Sequence, residues 1–371
     1  MTVLTSYLFA IYSIFLGLNP ASLNSANITL QPGNWIVFET LDLQLDGPCY
    51  DVAFHKDDIV FLKTGEENLY LVPMLRPDPS FSRPLFNNRD ISCSPAALSF
   101  SSDYSKGYYT RPVVGNDQAY LEKIFEMSIE EDRVSGLKQL SFSEDPSRNL
   151  HPAISPDGSL MVFSSDRLPT SGGLDLFVSY ISDDGWSRPL NLGESINTSG
   201  HERFPFLDRM NNLWFSSTGH SGYGGFDIYF CPFEEGEWGS PKNLGTAVNG
   251  PQNELGFSVH PQKQVALFSK TWPSGTKGMA IMLSLNEEAL NAAGIVDEAA
   301  RDIVLLIQGI ADPAPQVMTP VQTETETITE PETITEPAVE ERTPVAVSNT
   351  DPVVFRIQII SSLYENSFPP C

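Results

Sequence analysis

Positive charge is scarce in this chain. Its 371 residues hold 22 Lys and Arg against 47 Asp and Glu, a formal net charge of −25. That balance excludes nucleic-acid binding, which needs Lys and Arg to displace counterions from phosphates. It equally excludes docking on an anionic membrane through a polybasic patch. Cysteine is scarce too: Cys49, Cys93, Cys231 and Cys371 are the four, and no two form a C-x-x-C pair. Zinc-finger and thioredoxin-type readings therefore fail. The five histidines, His55, His151, His201, His220 and His260, show no i, i+4 spacing, so no metal and no cofactor is expected. There is no phosphate-cradling glycine loop. Gly219-His220-Ser221-Gly222-Tyr223 departs from the Gly-x-Ser-x-Gly nucleophile elbow at its last position. Ser182-Asp183-Asp184-Gly185-Trp186 has the ingredients of an Asp box at the wrong spacing.

No transmembrane span is expected either. The apolar stretch Tyr7 to Leu18 falls short of the roughly 20 residues a spanning helix needs. Small and polar residues follow it from Pro20 to Ala26, so residues 1–26 read as a secretory signal peptide cleaved between Ser22 and Ala26. No Lys or Arg precedes the apolar core; a buried first strand or a short uncleaved anchor is the alternative. Export would permit a Cys49–Cys93 disulfide, although isolated buried thiols are the commoner outcome.

What the chain does have is turn-formers and aromatics, with 26 Gly, 29 Pro, 22 Phe and 12 Tyr. Together they point to many short strands, and a hydrophobic share of 41% is enough for a core. The middle of the chain also repeats itself at an offset of 52 residues. Phe163-Ser164-Ser165 falls on Phe215-Ser216-Ser217, and Gly172-Gly173-Leu174-Asp175 on Gly224-Gly225-Phe226-Asp227. Trp186 falls on Trp238, Asn191-Leu192-Gly193 on Asn243-Leu244-Gly245, Asn197 on Asn249 and Glu202 on Glu254. Val265 to Ser269 continues the pattern. Leu98 to Asp103 matches Met161 to Asp166, with its partner strand Lys123 to Met127 after an insertion around Gly107 to Tyr120. A fainter copy runs from Ile59 to Leu62 and Asn68 to Val72.

Repeats of this length with several strands each predict an all-β chain, a five- or six-bladed β-propeller over residues 34–285. The strand-like segment Asn34 to Leu45 is expected to close the ring, which removes exposed strand edges. Three stretches carry a family resemblance: His151-Pro152-Ala153-Ile154-Ser155-Pro156-Asp157-Gly158, Phe163-Ser164-Ser165-Asp166-Arg167 and Gly173-Leu174-Asp175-Leu176-Phe177. They resemble the TolB-type, WD40-like propeller repeat. The copies with Trp-Ser-x-Pro-x-Asn-Leu-Gly resemble those of exported cell-envelope proteins of Bacteroidetes-type bacteria. That resemblance implies a periplasmic or cell-envelope location.

Beyond the propeller, Leu290, Ala293, Val296, Ala300, Ile303, Val304 and Ile307 follow helical spacing, which predicts an amphipathic helix over 286–310. Residues 312–350 are rich in Thr, Glu and Pro. They carry eight acidic residues against Arg342, and read as a disordered, extended linker. Val353-Val354-Phe355-Arg356-Ile357-Gln358-Ile359 is a strand in composition and resembles the opening strand of a SPOR domain, which implies peptidoglycan binding. Residues 353–371 are too few for that module, and the segment reads as an incomplete SPOR-like end.

No residue is expected to be catalytic. Glu202 and Glu254 precede inner strands at matching positions, so they are candidates for a binding channel, with His220, Tyr223 and Trp186 as candidates on the channel or rim. Asp157, Asp166, Asp175, Asp227 and Trp238 read as structural residues of the repeat. The leading expectation is a non-catalytic scaffold that contacts envelope proteins or glycan. The competing one is a propeller enzyme acting on glycans through channel carboxylates, and a third is a carbohydrate-binding propeller without chemistry.

Overall fold

Stretches in which β-branched and aromatic residues alternate with Ser, Gly and Asp turns fold here into antiparallel sheets. The computed structural model describes residues 28–30, 36–41, 43, 52–62, 69–75, 77, 79–85, 98–114, 120–130, 133–263, 265–272 and 278–285. All of these belong to a unit spanning Met1–Val321; a second unit, Gln322–Cys371, lies outside the described residues. The expected signal peptide at 1–26, helix at 286–310, linker at 312–350 and SPOR-like segment at 353–371 also lie outside them, as do Cys49 and Cys93.

Five sheets succeed one another as blades. Blade 1 holds Val52–His55, Asp58–Leu62, Leu69–Pro73 and Arg83–Pro84; blade 2 holds Leu98–Phe100, Lys106–Val114, Tyr120–Glu130 and Arg133–Gln139. Blade 3 holds Asn149–Ile154, Leu160–Ser165, Asp175–Ser182 and Leu190–Asn191; blade 4 holds Glu202–Leu207, Leu213–Ser217, Asp227–Cys231 and Lys242–Asn243. Blade 5 holds Asn253–Val259, Val265–Thr271 and Gly278–Leu285, completed by Ile36–Leu41 and Ile28–Leu30 from the start of the chain. The first-named strand of each blade is its inner strand. Each packs against the neighbouring blade, and that of blade 5 meets that of blade 1, so the ring is closed. The described residues form an all-β, five-bladed propeller.

Closure follows the expected route. Ile36–Leu41 runs antiparallel to Gly278–Leu285, from Ile36 opposite Leu285 to Leu41 opposite Ala280. No Trp and no Asn-Leu-Gly follows Gly278 in the last repeat, and this closure explains why. In blades 3 and 4 the stretch around Asn191 and Asn243 supplies the outer strand, whereas in blade 5 the start of the chain fills that place.

Blade 2 corrects the sequence alignment. Leu98–Phe100 is its inner strand, and Lys106–Val114, read as an insertion, is its second strand. The confusion has a physical source, because an alternating strand ending in Ser-x-Asp occurs at two places in the repeat. Ser101 and Ser105 bond to Asp103 as Ser155 and Ser159 bond to Asp157. Ser101–Asp103 therefore matches Ser155–Asp157, not Ser164–Asp166.

The core lies between blades. Val60, Leu71, Tyr109 and Met127 join blades 1 and 2, and Phe142, Phe163 and Phe177 with Tyr108 join blades 2 and 3. Val162, Leu207, Phe215 and Tyr229 join blades 3 and 4. Trp214, Phe257 and Phe268 join 4 and 5; Phe54, Phe61, Leu267 and Ala280 join 5 and 1. Burial of these side chains stabilises by about 25 cal/mol per Å² of apolar surface, and it does so only once the neighbouring blade is present.

Candidate functional site

Each of the inner strands of blades 3, 4 and 5 breaks its ladder once. The register shifts between Leu150 and Ala153, between Arg203 and Phe206, and between Leu255 and Ser258. A left-handed residue sits in each break: His151 at φ 54°, Phe204 at φ 53° and Gly256 at φ 66°. These are β-bulges, which bend a strand and re-aim the side chains after them. Beyond the bulges, the last residues of all five inner strands and the turns that follow them surround a central cavity of about 490 Å³.

Ala53, Leu98, Phe100 and Phe206 are partly exposed on its wall, and Phe54 and Phe257 stand behind them in the blade cores. Its mouth carries Lys56, Asp57, Tyr104, Asp208, Arg209 and His260. Asp57 accepts from Lys263 Nζ at 2.5 Å, and that bond holds its carboxyl below the usual range. Asp208 is buried, and burial pushes its carboxyl up against the pull of its donors. Those donors are the Met210 and Asn212 N–H groups, Asn212 Nδ2 and Trp214 Nε1, all within 3.0 Å. The His260 ring lies edge-on to Phe54, its Nε2 donates to the Lys56 carbonyl at 3.1 Å, and its Nδ1 accepts from the Gln262 N–H. Burial holds its pKa down, with Lys263 adding to the effect.

Glu202 and Glu254 are not among the residues that line this cavity. Both are fully buried at the opposite ends of their strands. Glu202 accepts from the Thr198 N–H at 3.0 Å, Thr198 Oγ1 at 2.6 Å and Ser217 Oγ at 2.7 Å. Glu254 accepts from the Gly250 N–H at 3.0 Å and faces Lys270 Nζ at 3.3 Å. Burial raises its pKa, opposed by those two groups. Their own N–H groups reach back to the preceding blade, Glu202 to the Leu174 carbonyl and Glu254 to that of Phe226, both at 2.7 Å.

The other candidates are spread round the ring. Trp186 is half-buried against Tyr108 and Phe142. His220 packs on Phe215 and Tyr229 and donates from Nε2 to the Ile196 carbonyl at 2.8 Å. Tyr223 is 52% exposed. None of the three lines the cavity. Asp175 accepts from the Ser171 N–H and Asn191 Nδ2, and Asp227 from the Tyr223 and Gly224 N–H groups. Asp157 accepts from the Ser159 N–H, Asp166 from the Arg148 N–H, and Trp238 Nε1 donates to the Asn211 carbonyl.

Sequence reasoning missed Lys56, Tyr104, Phe206, Arg209 and His260. They flank the turn after each inner strand, the place that Ser155-Pro156-Asp157-Gly158 occupies in blade 3. That turn was visible there, and its counterparts in the other blades would have marked the cavity mouth. Among the described residues no group of three or more His, Cys, Asp or Glu is placed to hold a metal ion, and no helix is long and apolar enough to cross a membrane.

No protein-family model matches the chain, and no curated protein matches it. Among solved structures it is similar to TolB from Acinetobacter baumannii, at 12% identity and a TM-score of 0.41 over 75% of this chain and 67% of that one. It is similar to a putative TolB from Agrobacterium tumefaciens at 16% identity and a TM-score of 0.34, over 70% of this chain and 74% of that one. An α-L-arabinofuranosidase from Lactobacillus brevis is also similar, at 7% identity and a TM-score of 0.42, over 67% of this chain and 94% of that one.

Proposed function

We propose that this chain is a non-catalytic binding propeller of the bacterial cell envelope, exported, which receives a partner in its central cavity. On this reading residues 312–350 tether the ring to a peptidoglycan-binding module of the SPOR type, whose opening strand residues 353–359 resemble. The observation that carries the binding reading is a division of labour in the ring. The carboxylates that recur with the repeat are engaged in bonds within and between blades, while side chains from all five inner strands wall an open cavity. A glycosidase sets two carboxyl groups facing each other across a sugar, about 5–10 Å apart. In this cavity Asp57 is held by Lys263 and Asp208 by its Asn212 and Trp214 donors.

The test is an assay of the purified protein, Glu202→Ala and Glu254→Ala against a panel of bacterial and plant wall polysaccharides. No reducing sugar is expected from any of the three, and both variants are expected to melt lower. Release of reducing sugar by the purified protein would overturn the reading in favour of a glycan-cleaving enzyme.

A further inference from the structure

We infer that the cavity selects an acidic peptide: an extended segment of a partner protein that inserts an apolar side chain between the inner strands and sets its carboxylates against Lys56 and Arg209. The inference rests on the binding reading above and gives that site its ligand chemistry.

A cavity of about 490 Å³ is of the size that takes a small molecule or a few side chains, not a folded domain. Its wall offers Ala53, Leu98, Phe100 and Phe206, so the inserted group is apolar. The polar groups of the mouth decide the rest, through what each has left to give. The acids around it are occupied: Asp57 by Lys263, Asp208 by four donors, and Asp103, beside the lining residue Ser102, by Ser101 and Ser105.

The cations are not so occupied. Elsewhere among the described residues, Arg83, Lys106, Lys123, Arg148, Arg167, Lys263 and Lys270 sit within 4.0 Å of a carboxylate, whereas Arg111, Lys138, Arg188 and Lys242 do not, and none of those four lines the cavity. Lys56 and Arg209 have no carboxylate partner among the described residues. The Lys56 ammonium lies 5.9 Å from the centre of the Tyr104 ring, and Arg209 gives Nη1 to the Pro261 carbonyl at 2.9 Å. The two residues flank one turn from opposite sides, because the His260 ring bonds the Lys56 carbonyl while Arg209 grips Pro261.

Lys and Arg carry donors and no acceptor, so the spare capacity of the mouth calls for an anion rather than a neutral glycan. A chain of net charge −25 repels an acidic partner over most of its surface. A local pair of unneutralised cations over an apolar hole then supplies both register and selectivity.

Three fluorophore-labelled pentapeptides, EEFEE, KKFKK and EEGEE, test this by polarisation with the full chain. EEFEE is expected to bind saturably, and the other two about tenfold or more weakly. The double variant Lys56→Glu/Arg209→Glu, melting as the parent does, is expected to weaken EEFEE about tenfold or more, the scale of losing charge-assisted bonds. Added salt is expected to weaken it as well. Equal binding of KKFKK, or an unchanged double variant, overturns the acidic ligand and leaves the binding reading standing. Binding of EEFEE that survives Ala53→Trp, a folded variant with the cavity filled, overturns the cavity as its site. No saturable binding of EEFEE overturns the inference, whereas the binding reading itself falls only to glycan cleavage.

Discussion

Replacing Glu202 by Ala would strand the buried Ser217 hydroxyl and leave the partly buried Thr198 N–H and hydroxyl without their acceptor. Unmet buried donors cost about 1–3 kcal/mol, so Glu202→Ala is expected to lose about 2–3 kcal/mol in urea unfolding. Glu202→Gln is expected to recover only part of it, since its amide NH₂ faces donors. A loss within experimental error of zero would remove the structural role. A second residue-scale prediction concerns His151, fully buried, packed at a tilt against the Phe204 ring and contacted by Arg203 Nη2 at 3.3 Å. Burial first, then Arg203 and Arg148, holds its pKa well below the ordinary value of 6.5. The unfolded chain therefore takes up a proton that the folded one refuses. Its contribution to stability is full above about pH 6.5 and is lost as pH falls below that, with a slope approaching about 1.4 kcal/mol per pH unit. His260 has the same sign, burial leading. Glu254, raised by burial, has the opposite one, its contribution being lost as pH rises from the unfolded value of about 4.3. His151→Asn, a residue that tolerates the left-handed backbone at this position, isolates the histidine. Its stability is expected to fall less steeply than the parent's between about pH 7.5 and 5.5, and equal slopes would sink the assignment.

At the scale of the element, the paired glycines show how blades are joined. The Gly173 N–H donates to the Gly200 carbonyl at 2.8 Å, and the Gly225 N–H to that of Gln252 at 3.1 Å. So close is the approach that a Cβ on Gly172 would overlap the backbone of Thr198 and Ser199, and one on Gly224 the backbone of Gly250 and Gln252. Gly172→Ala and Gly224→Ala are each expected to cost about 1–3 kcal/mol, as overpacking does; a thermal melt unchanged by either substitution would refute this. These elements were legible because the repeat copies them in register. Asn197 and Asn249 likewise bridge both backbone groups of Leu176 and Ile228 in the same way. The bulges were not legible, because His151, Phe204 and Gly256 share a backbone angle and no chemistry. Trp186 and Trp238 mislead in the other direction. They match in sequence, yet Trp186 packs on Tyr108 and Phe142 while Trp238 bonds Asn211 and packs on Phe233. The cavity mouth stayed hidden for a related reason, since its residues sit where the blades differ.

For the whole ring, the decisive pairing is the one between Ile36–Leu41 and Gly278–Leu285. Blade 5 has three strands of its own, and the edge of Gly278–Leu285 is covered by Ile36–Leu41, which Ile28–Leu30 extends. Every other blade is made from one continuous stretch, so among the described residues blade 5 is the sheet whose backbone ladder joins distant parts of the sequence. The buried clusters between blades 5 and 1 include Leu41 and Leu43, so the closing segment also fills core. Deleting residues 28–41 should expose a strand edge with a full row of unpaired backbone groups, a template for association. The deleted protein is expected to melt lower and to elute from size-exclusion chromatography as oligomers. Adding the peptide ITLQPGNWIVFETL, which is residues 28–41, should restore both the melting temperature and the monomer, because pairing in trans regenerates the same ladder. Restoration by a scrambled peptide of equal composition would point to general masking of apolar surface instead. A deleted protein that stays monomeric and melts as the parent does would mean that the contacts between blades hold the ring without its closing strand.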